Sequence, residues 1–168
     1  MVELRKIEIT NSDNYSNMAI ECISLEISPE QRGFCAPNAD SLREAYNNAS
    51  KGFIDVPYVI YASDAMVGFI MYGFVKEDDD IYGEDCYNIW RVMVDKNHQG
   101  KGYAKQAVAR VLEEIKTRPY GEASHVYTSY NPTNLASKNL FEHFGFLETG
   151  EIDDGESIAR LKIDDAVV

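Results

Sequence analysis

Apolar and polar residues alternate with a period of two over "VELRKIEI" near the start of the chain, which predicts a strand with one buried face. The spacing then changes. "NSDNYSNMAIECISL" carries Asn11, Ser12 and Asp13 as candidate caps ahead of a broad apolar face of Ile20, Ile23, Leu25 and Ile27, so a helix ended by Pro29 is expected. "NADSLREAYNNASKG" reads as a second short helix, capped near Asn38 or Asp40 and stopped at Gly52. Two runs rich in β-branched and aromatic residues follow, "VPYVIYA" and "MVGFIMYGFV". Only Ser63, Asp64 and Ala65 separate them, so they are expected to pair as antiparallel neighbours. Beyond the polar loop "KEDDDIYGED", "CYNIWRVMVD" is a third strand of this group. A long helix then carries Ala104, Ala107, Val108, Val111, Leu112 and Ile115 on one face and ends at Arg118, Pro119 and Gly121. "SHVYTSY" is another strand and "NPTNLASKNLFEHF" a helix. "GFLETGEI" and "ESIARLKI" close the chain as a hairpin through Asp153, Asp154 and Gly155. Hairpins at both ends make this a mixed α/β sheet of about seven strands flanked by helices, not a doubly wound one.

With 168 residues, 45% of them hydrophobic, residues 1–168 are expected to form one domain around a single core. No stretch approaches the ~18 apolar residues of a membrane span, and the first ten residues lack the apolar centre of a signal peptide. A cytoplasmic protein without a membrane partner is therefore expected. Cys22, Cys35 and Cys86 are scattered, as are His98, His125 and His143, so reduced thiols and no metal site are expected. Charge adds more. Sixteen Lys and Arg against twenty-eight Asp and Glu give a net −12, which repels a nucleic-acid backbone and attracts cations, small amines among them. The same charge also serves solubility.

The richest local signal is "VDKNHQGKGYAKQAVARVLEEI", where Gly100 and Gly102 stand at the very start of the long helix. A phosphate loop of the form G-x-x-x-x-G-K-[ST] has no register here. A dinucleotide fingerprint fails as well, because Lys105 stands where its third glycine belongs. What remains is a strand-to-helix junction at residues 99–104, where successive N–H groups point into one concavity at the positive end of a helix dipole. That suits a diphosphate.

Residues 99–104 match the [RQ]-x-x-G-x-[GA] signature, and the chain thereby resembles the GNAT superfamily of acetyl-CoA-dependent N-acetyltransferases. "MVGFIMYGF" resembles the family's paired central strand, and "WRVMVDKNHQGKG" its fourth strand and pyrophosphate loop. "NPTNLASKNLFEHFGF" resembles its closing block. The likeness is close over roughly residues 53–163, and within the superfamily it is nearest to bacterial spermine/spermidine-type acetyltransferases. It implies a GNAT fold, with the sheet splayed where acetyl-CoA enters. Backbone groups of Gly100, Lys101, Gly102, Tyr103 and Ala104 would hold the diphosphate, with Gln99 shaping the loop. Val92, Met93 and Val94 would pair with the pantetheine amides and polarise the thioester carbonyl. Asn134 would bind the pantetheine arm, and Lys101, Lys105 and Lys138 are candidates for the CoA phosphates. The resemblance also allows a homodimer.

Amide formation from a thioester needs a neutral amine. At pH 7 a primary amine with a pKa near 10.4 is neutral only about once in 10³ to 10⁴ molecules, a cost of roughly 4 to 5 kcal/mol, so a base is expected. By the resemblance the base is often an acid on the fourth strand, and the proton donor a tyrosine on the last helix. Here those places hold Trp90 and Phe141. Tyr130 is the substitute acid, its alternative being a strand-end tyrosine with a wet hydroxyl. The acidic loop, with Glu77, Asp78, Asp79, Asp80, Glu84 and Asp85, is either a solvated surface or a rim for a distal ammonium. In the second case Asp78, Asp79, Glu84 and Asp85 bind substrate, with Trp90 at the drier inner position. The expected activity is transfer of an acetyl group to a primary amine of a small cation, a polyamine first. The alternatives are an aminoglycoside, amino-acid or diamine-like acceptor, or a non-catalytic acyl-CoA sensor.

Overall fold

The computed structural model describes residues 1–8, 16–78 and 81–166. Along them run β1 (Val2–Lys6), α1 (Asn17–Ile23), a 3-10 turn (Pro29–Gln31), α2 (Asn38–Ser50), β2 (Ile54–Ala62), β3 (Ala65–Val75) and β4 (Cys86–Val94). Then come α3 (Tyr103–Lys116), β5 (His125–Tyr130), α4 (Leu135–Glu142), β6 (Leu147–Asp153), β7 (Glu156–Lys162) and a last 3-10 turn (Ile163–Asp165). The strands make one seven-stranded sheet in the order β1-β2-β3-β4-β5-β7-β6. Every pairing is antiparallel except β4 with β5.

Helices cover both faces. On one, α3 buries Val108, Val111, Leu112 and Ile115 against Ile60, Ile70, Tyr72 and Ile89, while Phe141 of α4 joins the same core. Each of those four larger α3 side chains contributes ~1.5–3 kcal/mol. Their sum outweighs the 0.5–2 kcal/mol or so that a missing N-cap side chain forfeits. The helix can therefore keep an uncapped start. On the other face, Ala19 and Cys22 of α1 with Leu42 and Ala45 of α2 pack on Val59, Phe69, Met71 and Met93.

Two irregularities shape the middle of the sheet. First, β4 and β5 pair only at Tyr87 with Val126 and Asn88 with Tyr127, after which they diverge. The Thr128 hydroxyl, donating 2.8 Å to the Ile89 carbonyl, is a side-chain bridge at the parting. The expected splay is thus present. Second, Met71 pairs with Arg91 but Tyr72 with Ile89, leaving Trp90 as an extra residue on β4. Such a bulge re-aims side chains. Trp90 packs on the α1–α2 core, and Arg91 reaches Ser41 of α2 on that same face.

The helix ends differ from the sequence reading. The first helix is capped by Ser16, whose Oγ accepts from the Ala19 N–H at 3.2 Å; Asn11, Ser12 and Asp13 lie outside the described residues. Its buried positions are Ala19 and Cys22, while Ile20 is exposed. Pro29 opens a 3-10 turn well past the helix end rather than stopping the helix. At α2 the cap position is Pro37, and Asn38 turns inward to donate to the Cys22 carbonyl at 2.8 Å. A buried amide needs that partner more than the helix needs a cap.

Candidate active site

The segment joining β4 to α3 is held from below by Asp95, which is 7% exposed. Its carboxylate accepts from the backbone N–H of Glu26 and of Asn97, each at 2.9 Å. Burial alone would raise the Asp95 pKa, but those N–H groups, the Asn97 amide and nearby His98 outweigh it and hold the group below the usual carboxylate range. Gln99 donates to the Val94 carbonyl at 2.9 Å and to Gln31 Oε1 at 2.7 Å. It therefore ties the loop both to β4 and to the turn beyond α1.

Gly100 and Gly102 have φ of +76° and +75°, a left-handed conformation that strains any residue with a Cβ. Beyond the adjoining stretch of backbone, no atom of the described residues lies within 4 Å of where either Cβ would be. Both glycines thus answer to backbone conformation and to the open space in front of the loop, not to crowding. Gly102 occupies the N-cap position of α3 without a side-chain cap bond. Among the described residues no side chain caps the first-turn N–H groups, which stand at the positive end of the helix and suit an anion.

A cleft of about 370 Å³ opens in front of this loop. Val92, Met93, Val94, Gln99, Gly100, Gly102, Tyr103, Ala104 and Asn134 line it, with Lys105 and Ser137 beside them. Because β5 has parted from β4, the backbone edge of β4 along Val92, Met93 and Val94 carries no strand on that side, which suits an extended amide-bearing chain. Asn134 caps α4, its Oδ1 accepting from the Ser137 N–H at 3.2 Å. Lys101 stands outside the cleft lining. So does Lys138, which pairs with Glu148 at 3.0 Å.

A smaller chamber of about 60 Å³ adjoins the cleft at the parting of the strands and shares Phe34, Cys35, Val92, Asn134 and Ser137 with it. Its other walls include Trp90, Arg91, Ser129, Tyr130, Phe141 and Glu156. Arg91 is engaged elsewhere: its guanidinium bonds Ser41 Oγ at 3.1 Å and the Trp90 carbonyl at 2.8 Å, and lies 3.6 Å from Glu44. Tyr130 stacks on Phe141, with ring centroids 6.3 Å apart. Its hydroxyl donates to Glu148 Oε1 at 3.2 Å. Burial, the Glu148 charge and that bond push the Tyr130 pKa up to about 12, making it a reluctant proton donor.

Of the acceptor-side residues expected from sequence, the chamber contains Trp90 but none of Asp78, Glu84 and Asp85. Asp79 lies outside the described residues. These residues precede β4, whereas the chamber is lined by the middle of that strand, residues 89–92, roughly 13 Å or more further along it. Asp85 pairs with Lys76 at 2.7 Å. Glu84 accepts from the Tyr127 hydroxyl at 2.7 Å and lies 2.8 Å from His125 Nδ1. Sequence reading missed Glu156, Ser129, Arg91 and Cys35. Glu151, Asp153, Asp154 and Glu156 form an acidic run around the last hairpin, but the Asp-Asp-Gly turn is what that stretch displays most plainly.

The family model for the acetyltransferase (GNAT) family matches residues 18–146. The chain belongs to the GNAT family of acetyltransferases. It is an enzyme of that type, built for an acyl-CoA, and the glycine loop, the uncapped α3 and the free β4 edge fit such a ligand. The spermine/spermidine N(1)-acetyltransferase of Bacillus subtilis is 27% identical over 141 residues, covering 81% of this chain and 86% of that one. An L-2,4-diaminobutyric acid acetyltransferase of Halomonas elongata is 31% identical over 111 residues, 57% of this chain and 53% of that one. The spermidine N-acetyltransferase of Vibrio cholerae, solved with CoA and spermine, has the same fold, with a TM-score of 0.69 at 18% identity over 98% of this chain and 96% of that one. Among the described residues no helix is long and apolar enough to cross a membrane.

Proposed function

We propose that the protein transfers the acetyl group of acetyl-CoA to a primary amine of a small polycation of the spermidine or spermine kind. The observation that carries this is the joined pair of spaces: a cleft with anion-binding backbone at one end and a chamber bearing a carboxylate at the other. Acetyl-CoA would lie with its diphosphate on residues 99–104 and its pantetheine along Val92, Met93 and Val94. An N–H of that edge would polarise the thioester carbonyl as the amine attacks, a contribution of a few kcal/mol in sites of this design. Lys101 and Lys105 would meet the outer phosphates.

The polyamine preference rests on the net −12 charge, on the Bacillus relative and on the face that continues from the chamber. Tyr127 and Ser129 share one face of β5, two residues or roughly 7 Å apart. Tyr127 carries Glu84 on its hydroxyl and stacks with Tyr82 at 4.3 Å. A three- or four-carbon spacer between two nitrogens covers such a gap. Of the acidic loop, Glu84 is therefore the residue we assign to the distal ammonium. An acceptor that also carries a carboxylate, such as a diamino acid, is the second reading, favoured by Arg91 in the chamber wall and by the Halomonas relative.

An acceptor screen with mass detection tests both. We expect acetyl-spermidine or acetyl-spermine at the highest kcat/KM, rising with pH as the neutral amine becomes more abundant. Preferred turnover of a diamino acid would replace the first reading by the second, and acetylation of no amine would sink both.

A further inference from the structure

We propose that Glu156 is the carboxylate that receives the reacting amine of the acceptor and takes its proton, a proposal that rests on the acetyl-transfer reading above. Glu156 is the first residue of β7, and it lines the small chamber with Trp90, Arg91 and Tyr130. The Ser129 hydroxyl donates to Glu156 Oε2 across the β5–β7 pairing. Only one carboxylate oxygen is engaged by that bond. Oε1 has no hydrogen bond, and the group no ion pair, among the described residues. The nearest guanidinium in the wall, Arg91, is committed to Ser41, Glu44 and the Trp90 carbonyl. A half-buried carboxylate without a counter-cation is costly, and a ligand that brings N–H donors or positive charge offsets that cost. The position also makes chemical sense. The bulged strand presents Trp90 where an acid would serve, and β7 delivers a carboxylate to the same chamber from the other side of the parting.

The amine enters neutral, with an N–H directed at Glu156. Its lone pair attacks the thioester carbonyl carbon, a C–N bond forms, and positive charge develops on nitrogen beside the carboxylate. One N–H proton passes to Glu156. The C–S bond breaks with its electron pair going to sulfur, and the thiolate takes a proton from solvent as Glu156 returns its own to solvent.

Glu156→Gln keeps the shape and removes the base. We expect kcat/KM for spermidine to fall about 10²- to 10³-fold, with the Kd for acetyl-CoA and the melting temperature unchanged. Glu156→Asp should restore part of the loss, which a folding defect would not explain. Ser129→Ala keeps the carboxylate and should cost no more than about tenfold, the worth of one hydrogen bond. If spermidine is not a substrate but another amine is, Glu156→Gln must depress that turnover equally. Such a result overturns the polyamine reading and supports Glu156. Equal turnover by the parent and Glu156→Gln overturns the role of Glu156 and leaves the acetyl-transfer reading standing. A parent chain that binds acetyl-CoA yet acetylates no amine overturns both.

Discussion

The two ends of the cleft are built from different materials. At the glycine loop the groups we assign to the ligand are backbone: N–H groups at the head of α3 and the open edge of β4, with Gly100 and Gly102 at positive φ. At the chamber they are side chains, drawn from the β4 bulge, from β5 and from the start of β7. Backbone recognition suits a part of the ligand that never changes. Side-chain recognition can be altered one residue at a time, which is how a shared fold comes to serve different amines.

That contrast can be broken from either end, and the largest effect is expected at the loop. Gly102→Glu forces a Cβ into a left-handed position and sets a carboxylate against the diphosphate. The specificity constant for acetyl-CoA should drop more than about 100-fold, close to 3 kcal/mol. Steady-state kinetics with acetyl-CoA varied reads it. Next comes the support beneath the loop. Asp95→Ala leaves the N–H groups of Glu26 and Asn97 short of an acceptor and should cost about 1–3 kcal/mol in denaturant unfolding. The folded pKa of Asp95 is depressed, so its contribution is fully present above the unfolded value near 3.9 and is lost as pH falls through the lower folded value. The gap between parent and Asp95→Ala should therefore close in acid; a gap that widens in acid contradicts this account of the loop.

Smaller effects belong to the acceptor side. Glu84→Gln should raise KM for spermidine about three- to tenfold while leaving a monoamine unaffected, because a partly exposed charge pair is worth only about a kcal/mol. Added salt should mimic it. If both amines change together, Glu84 is a structural partner of Tyr127 and no more. Smallest of all is Tyr130→Phe. With its hydroxyl already given to Glu148, its removal should change kcat less than about twofold and cost about 1 kcal/mol of stability. A hundredfold fall in kcat would return Tyr130 to the role of proton donor.

The same contrast explains what could be read from the chain. The loop was legible because its demands fall on consecutive residues: an end to β4, two glycines, then the apolar face of α3 that leads to Ile115. The element order was legible from periodicity, since each face of the sheet has its own helical cover. The chamber was legible only in part: Trp90 and Tyr130 stood out in the sequence, while Arg91 and Glu156 did not. A bulge leaves no mark in the sequence, so nothing announced that Trp90 and Arg91 would share a face. Glu156 sits behind an Asp-Asp-Gly turn whose plain duty is to join β6 to β7, with Asp154 and Gly155 both at positive φ. The acidic loop is the opposite case, conspicuous in the sequence but with only Glu84 assigned to the acceptor. Its charge density is conspicuous, but position along β4 decides what a charge can reach, and that loop is at the far end of the strand from the diphosphate loop.

Calorimetric titration of acetyl-CoA into four chains tests the division most directly: the parent, Gly102→Glu, Glu84→Gln and Glu156→Gln. If backbone at the loop holds the cofactor and side chains at the chamber hold the amine, the parent and both glutamine variants bind acetyl-CoA alike, and Gly102→Glu does not bind. Equal binding by Gly102→Glu, or loss of binding in either glutamine variant, would contradict it.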